Sequence, residues 1–200
     1  MKQGYLEVEI ETLSHVLIGS GATFVRPSLN IVLLRRKAGD KNKIFIPGST
    51  IKGLLRINAS RLAHFLEMES CYSIKDPKPC DVCRIFGMPN LESKILVSDA
   101  YPKEDVIPLI LMGVTINRKT GTAAKEQLYS YEAIPPHTCF QFRIILKDFT
   151  PKETDLVFLA LHDLQYQRFG RGAGRIRYRI LNMNNIELPS LSERIKEQYL

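Results

Sequence analysis

Between Leu6 and Glu11 the chain alternates strictly: Leu6, Val8 and Ile10 are apolar, while Glu7, Glu9 and Glu11 are acidic. A period of two fits a strand with one face in a core and the other in water. The chain therefore has to build a sheet and cover one side of it with other elements. The alternation predicts a first strand over 5–18. The cover is legible further on. Ile46, Pro47, Gly48, Ser49 and Thr50 make a turn with hydroxyl groups suited to start a helix, and Ile51, Leu54, Leu55, Leu62 and Phe65 follow at helical spacing, which predicts a helix over 49–68. Thr150, Pro151 and Glu153 form a capping box with proline at the first helical position and open a second helix through 165.

Strand signals fill the intervals, over 95–100, 140–146 and 175–181, and Ser190 with Glu193 predicts a terminal helix. The polar, basic run 35–43 reads as a solvated hairpin tip or loop, and 112–136 as a projecting hairpin with Gly121 at its turn. The order strand, helix, strands, helix, strand is compatible with an α+β, ferredoxin-like split βαβ core. At 200 residues one core suffices, so the expectation is a single unit over 1–200 with insertions at about 22–45, 68–94 and 112–138.

An apolar share of 44% without any run of about 18 apolar residues argues against a membrane span. The alternating N-terminus lacks the pattern of a secretory signal. Four cysteines without an export signal point to a reducing compartment, the cytoplasm by default, where closely spaced thiols bind metal more often than they pair.

A net charge of +7 suggests a polyanionic partner. Its distribution is more informative: no acid occurs between Asp163 and Glu187, a window that holds Arg168, Arg171, Arg175, Arg177 and Arg179. Three stretches can meet phosphates. Lys52 and Arg56, four apart, share one face near a helix start, where the free amides and the dipole also favour an anion; an ordinary solvated helix face has the same spacing. The run from Arg168 to Arg179, with Gly170, Gly172 and Gly174 between arginines, permits close backbone approach to a ligand, though a helix cap and turn look alike. Arg118, Lys119 and Lys125, with no acid between Asp105 and Glu126 and with Tyr129 and Tyr131 to stack on bases, fit an arm that grips a strand, or a basic loop whose tyrosines pack on the body.

His64, Cys71, Cys80 and Cys83 are separated by six, eight and two residues. Two thiolates at the Cys80 and Cys83 spacing can share one tetrahedral zinc, which would fix the irregular segment around Pro77, Pro79 and Pro89. A redox CxxC is the rival, but Asp81 and Val82 between the thiols and the absence of a thioredoxin-like unit speak against it. Such a closed site has no position for a reacting water and is structural. Cys139, beside a strand, reads as core.

Taken in order, IPGSTIKGLLR, CDVCRIFG, LVSDAY, TINRKTGTA and GRGAGR resemble the Cas-seven group of the RAMP superfamily, the repeated backbone subunit of type III, Csm-like CRISPR effector complexes. The likeness runs from Ile18 to about Leu181. It implies an RRM-like core in which Lys52, Arg56 and the loop with Arg168, Arg171, Gly172 and Arg175 hold the backbone of a CRISPR guide RNA. It also implies that the hairpin from Arg118 to Lys125 is a thumb reaching over a neighbouring RAMP subunit, where it kinks the duplex of guide and target RNA. Family members often bind zinc through a histidine and cysteines ahead of an FG pair, here Phe86 and Gly87. Active members carry an aspartate in a loop before the IPGS motif; matching SLNIVLLR to that loop puts Asn30 in its place, and an amide neither ionises nor binds a divalent cation as a carboxylate does. The resemblance therefore implies a cleavage-deficient subunit. The alternative is an active endoribonuclease using Asp40, in the same insertion, or His15 as general base, and a third reading is a zinc-stabilised module that binds only protein.

Overall fold

The opening alternation becomes strand β1, Gln3–Thr12, whose Leu6, Val8 and Ile10 are buried. The computed structural model of the chain describes residues 3–20, 31–38, 41–71, 79–170 and 174–186. β1 ends earlier than its hydropathy suggests. At Thr12 the hydroxyl bonds the Pro135 carbonyl at 2.8 Å, Leu13 N–H bonds the Arg175 carbonyl, and Val16 pairs with Ile134, so the chain leaves the sheet while remaining apolar.

A short hairpin follows, β2 (Arg35–Ala38) and β3 (Lys41–Ile44). Helix α1 spans Gly48–Leu62 and continues as a 3₁₀ turn, Ala63–Leu66, before Glu67 turns left-handed and stops it. Its buried Ile51, Leu55 and Ala59 recur at intervals of four, the stripe that packs on a sheet. The 71–89 segment contains a helix that periodicity does not announce: α2, Asp81–Phe86, begins at Cys80 and buries Val82, Cys83, Ile85 and Phe86.

Of the expected 95–100 strand only β4 (Ile95–Val97) forms, and a further short strand, β5 (Tyr101–Pro102), follows just beyond it. Between them the chain turns so that Ala100 pairs with Ile46 and Asp99 reaches the start of α1. β6 (Leu109–Ile116) and β7 (Ala123–Ala133) form the projecting hairpin as a separate two-stranded sheet. β8 (Cys139–Lys147) returns to the main sheet and alternates buried Phe140, Phe142, Ile144 and Leu146 with outward residues. Helix α3, Pro151–Asp163, starts with the expected capping box, and its Glu153 also pairs with Lys94 at 2.7 Å. β9, Ile176–Asn184, completes the sheet. The expected terminal helix at 190 lies outside the described residues.

The fold is mixed α+β. Its main sheet runs β4-β8-β1-β9 with antiparallel neighbours, and β5 adds to β8. Both long helices contribute to one apolar cluster with the inward residues of β1, β8 and β9. α1 and α3 are tied by buried Asn58, whose amide donates to the Ala160 carbonyl at 2.9 Å while its oxygen accepts from Arg61. No helix among the described residues is long and apolar enough to cross a membrane.

Candidate functional site

The thiols of Cys71, Cys80 and Cys83 converge, their sulfur atoms all within 4.8 Å of one another. α2 brings two of them: Cys80 precedes the helix and Cys83 sits one turn in, so the two-residue gap turns both sulfurs the same way. Cys71 arrives from the segment after α1, with its sulfur 3.3 Å from that of Cys83 and its backbone N–H on the Cys80 sulfur at 3.2 Å. A disulfide would hold its sulfurs at about 2.05 Å. Thiolates on one tetrahedral zinc, each about 2.3 Å from the ion, stand roughly 3.8 Å apart, so the observed spacing and the all-sulfur donor set fit zinc. Without an ion the three compete for protons. Burial raises the thiol of Cys80, but N–H donors from Cys83 and Cys71 outweigh it and hold that thiol below its ordinary value. Burial and the adjoining thiols push Cys83 up to about 11. His64 is not in this group: it is exposed on the 3₁₀ turn after α1, its ring 4.0 Å from that of Phe65.

Lys52 and Arg56 do share a face of α1, and that face looks onto α2 and β4. Lys52 donates to the Ser93 hydroxyl at 2.7 Å and the Ile95 carbonyl at 3.1 Å; burial, then the charge of Arg56, lowers its pKa. Arg56 donates to the Gly87 carbonyl at 2.8 Å and to the Cys83 sulfur at 3.3 Å. The amide end of α1 is also taken. Asp99 accepts the Gly48 N–H at 2.9 Å and pairs with Arg36, and a β-carbon on Gly48 would run into the Val97 carbonyl. The glycine of IPGS thus permits helix α1 to seat on the β4 backbone, and the anion at its N-terminus is the chain's own. Asp99 lies in the LVSDAY motif, but a role three elements away leaves no mark on local spacing.

The other basic stretches lie apart from this face. Arg118 and Lys119 are exposed at the tip of the β6–β7 hairpin, where Asn117 receives the Lys119 N–H on its side chain and the Gly121 N–H on its carbonyl. Gly121 takes φ +67°, which suits glycine in so tight a turn. Apolar side chains stay outside along this hairpin, with Met112 74%, Leu128 69% and Ile110 65% exposed. Tyr129 covers Gly113 and stands 5.9 Å from Tyr131, so both tyrosines are partly packed on the hairpin. Arg168 and Arg175 are exposed on either side of the glycine loop, which is closed by a bridge between Phe169 and Gly174. Gly170 has φ +75°, and its missing β-carbon leaves room for the Leu17 carbonyl, which would stand at 2.6 Å from it. Arg171 and Gly172, like Asn30 and Asp40, lie outside the described residues. His15 is half-buried in the bend after β1, not in a strand.

The open face of the sheet sets acidic side chains against basic ones. Glu7 meets Arg143 at 2.5 Å, Glu9 meets Lys103 at 2.6 Å and Glu11 meets His137 at 3.0 Å, while Arg177 and Arg179 stand opposite Glu11 and Glu9 in register. Glu132, also unflagged by the sequence, is buried at the hairpin base, where one carboxylate oxygen accepts from the Leu33 N–H and Arg35.

The sequence model of the RAMP superfamily matches residues 9–177, from the middle of β1 into β9. The chain belongs to the RAMP superfamily. This RAMP chain is also similar to a curated protein, the CRISPR system Cms endoribonuclease Csm3 of Methanocaldococcus jannaschii, at 23% identity over 196 residues, which covers 88% of this chain and 77% of that protein.

Proposed function

We propose that this RAMP chain is a backbone subunit of a type III, Csm-like CRISPR effector complex, one unit over 1–200 that binds guide RNA beside related subunits and presents it to target RNA in the cytoplasm. The similarity to the archaeal Csm3 across nearly the whole chain carries this reading. The strand order β4-β8-β1-β9, with helices after the first and third core strands, supports the ferredoxin-like, RRM-like core expected of such a subunit. The β6–β7 hairpin supports the thumb: its basic tip suits a phosphate backbone and its exposed apolar residues suit a neighbouring subunit. Arg168, Arg175 and the loop residues Arg171 and Gly172 supply further phosphate contacts. Lys52 has three donors and Arg56 five; with two of each engaged internally, the remainder serve the guide from a fixed position.

Cys71, Cys80 and Cys83 hold a structural zinc, which cross-links the end of α1 to α2 when bound. Purification of the tagged chain with its partners, followed by sequencing of bound RNA, tests the assignment. Repeat-derived short RNAs with sibling RAMP subunits are expected; zinc-loaded protein that never retains RNA would replace it with a protein-binding module.

The endoribonuclease in the relative's name favours a second reading, target cleavage by this chain. Asn30 in place of the family's aspartate weighs against it. Labelled target RNA incubated with the assembled complex, with and without magnesium, separates the two: magnesium-dependent cleavage lost in Asp40→Ala, or cleavage lost in His15→Ala, establishes the second.

A further inference from the structure

We infer that Arg56 is a positioning residue of the thiol cluster, holding the Cys83 thiolate as an N–H donor; the inference rests on the reading that the three thiols bind zinc. Three thiolates around a dication leave a negative charge in a partly buried place, since Cys80 and Cys83 are buried. Such a charge is stable only where it is paired and hydrogen-bonded. Arg56 meets both needs. Its guanidinium presents donors in a fixed planar fork. One arm reaches the Cys83 sulfur at 3.3 Å and the other the Gly87 carbonyl at 2.8 Å, so a single planar group spans a ligand and the residue that ends the ligand's own helix.

Gly87 is itself fixed: its N–H returns to the Cys83 carbonyl at 2.9 Å, and its φ of +83° turns the chain out of α2. One turn earlier on α1, Lys52 straps Ser93 and Ile95. α1 thus lays two cations across 83–95, and the second reaches the metal cluster directly. Partners that orient a metal ligand typically govern a factor of ten or more in metal affinity.

The test uses the full chain with cobalt(II) as spectroscopic probe and zinc affinity by chelator competition, comparing wild type with Arg56→Met. The variant is expected to bind zinc about tenfold more weakly and to shift the sulfur-to-cobalt charge-transfer band to longer wavelength, because a thiolate relieved of its N–H donor gives up electron density more readily. Arg56→Lys, which keeps the charge but replaces the planar fork with one nitrogen on a flexible stem, is expected to weaken zinc while keeping the charge available to RNA, and it carries the test if Arg56→Met does not fold. Wild-type affinity and band position in a folded variant would overturn the inference and leave the zinc reading standing. A wild-type chain that binds neither metal would overturn both.

Discussion

Replacing Asp99 by alanine tests whether α1 is held by a carboxylate borrowed from the strand region it packs on. Pro47 precedes the helix in extended conformation without a capping side chain, and the first turn contains no acid. Asp99 supplies both missing functions, accepting the Gly48 N–H at 2.9 Å on one oxygen and pairing with Arg36 on the other. A lost N-cap costs about 1 kcal/mol. The anion at the helix N-terminus adds roughly 0.3–1 kcal/mol, and the Arg36 pair, with that side chain 56% exposed, adds at most about 0.5 kcal/mol. One carboxylate makes all three interactions, so they do not sum independently; a loss of about 1–2 kcal/mol is expected. Asp99→Asn retains an acceptor for Gly48 and loses only the charge, which sets its loss at about 0.5 kcal/mol. Urea unfolding reads both as a lower midpoint at unchanged slope. Alanine within about 0.3 kcal/mol of wild type would refute the borrowed cap, and an asparagine variant as damaged as alanine would assign the whole effect to charge.

Thr150→Ala removes one half of the capping box of α3, where the hydroxyl accepts the Glu153 N–H, and should cost about 1 kcal/mol by thermal unfolding. Glu9 is held below the ordinary carboxylate range by its bond from Lys103, against the opposing effect of burial. Its folded pKa is therefore below its unfolded one, so its contribution is present above pH 4.5 and disappears as pH falls through the folded pKa; Glu9→Gln should flatten acid unfolding in that window, and an unchanged acid limb would refute the pairing. Removing Arg118 and Lys119 together should weaken RNA binding and lower the slope of log affinity against log salt by about 1.4, as for two phosphate contacts to a single strand. His64→Ala should leave the cobalt spectrum as in wild type, because its ring sits against Phe65; a lost or shifted band would return His64 to the ligand set.

What was legible in the sequence was what neighbours decide. The β1 alternation, the α3 capping box and the hairpin turn at Gly121 are each set within a few residues, and each stands where hydropathy and turn chemistry put it. The errors share the opposite property. β1 stops at Thr12 because Pro135, Ile134 and Arg175 claim the chain there, and β4 parts from β5 because Asp99 turns back to α1. α2 lies in a segment that reads as irregular because its own Cys83 is gathered with thiols that precede it, Cys80 at its start and Cys71 from the segment after α1.

The charges illustrate the same limit more sharply. Spacing correctly put Lys52 and Arg56 on one helix face, but their acceptors lie 27 to 43 residues away along the chain, so the sequence could show the direction of the cations and not what they face. The acid-free arginine run is likewise mixed by the fold, since β1 lays Glu9 and Glu11 beside Arg179 and Arg177. Register is not pairing, however: Glu9 and Glu11 are engaged by Lys103 and His137, and Arg177 and Arg179 stay exposed without an ion pair among the described residues. The same holds for cations at the projections: Arg118 and Lys119 at a hairpin tip, and Arg168 and Arg175 at the mouth of a loop, none of them ion-paired among the described residues. Exposed positive charge is therefore carried both by the projections and by the edge strand β9, while the central column of carboxylates on β1 is engaged by Arg143, Lys103 and His137.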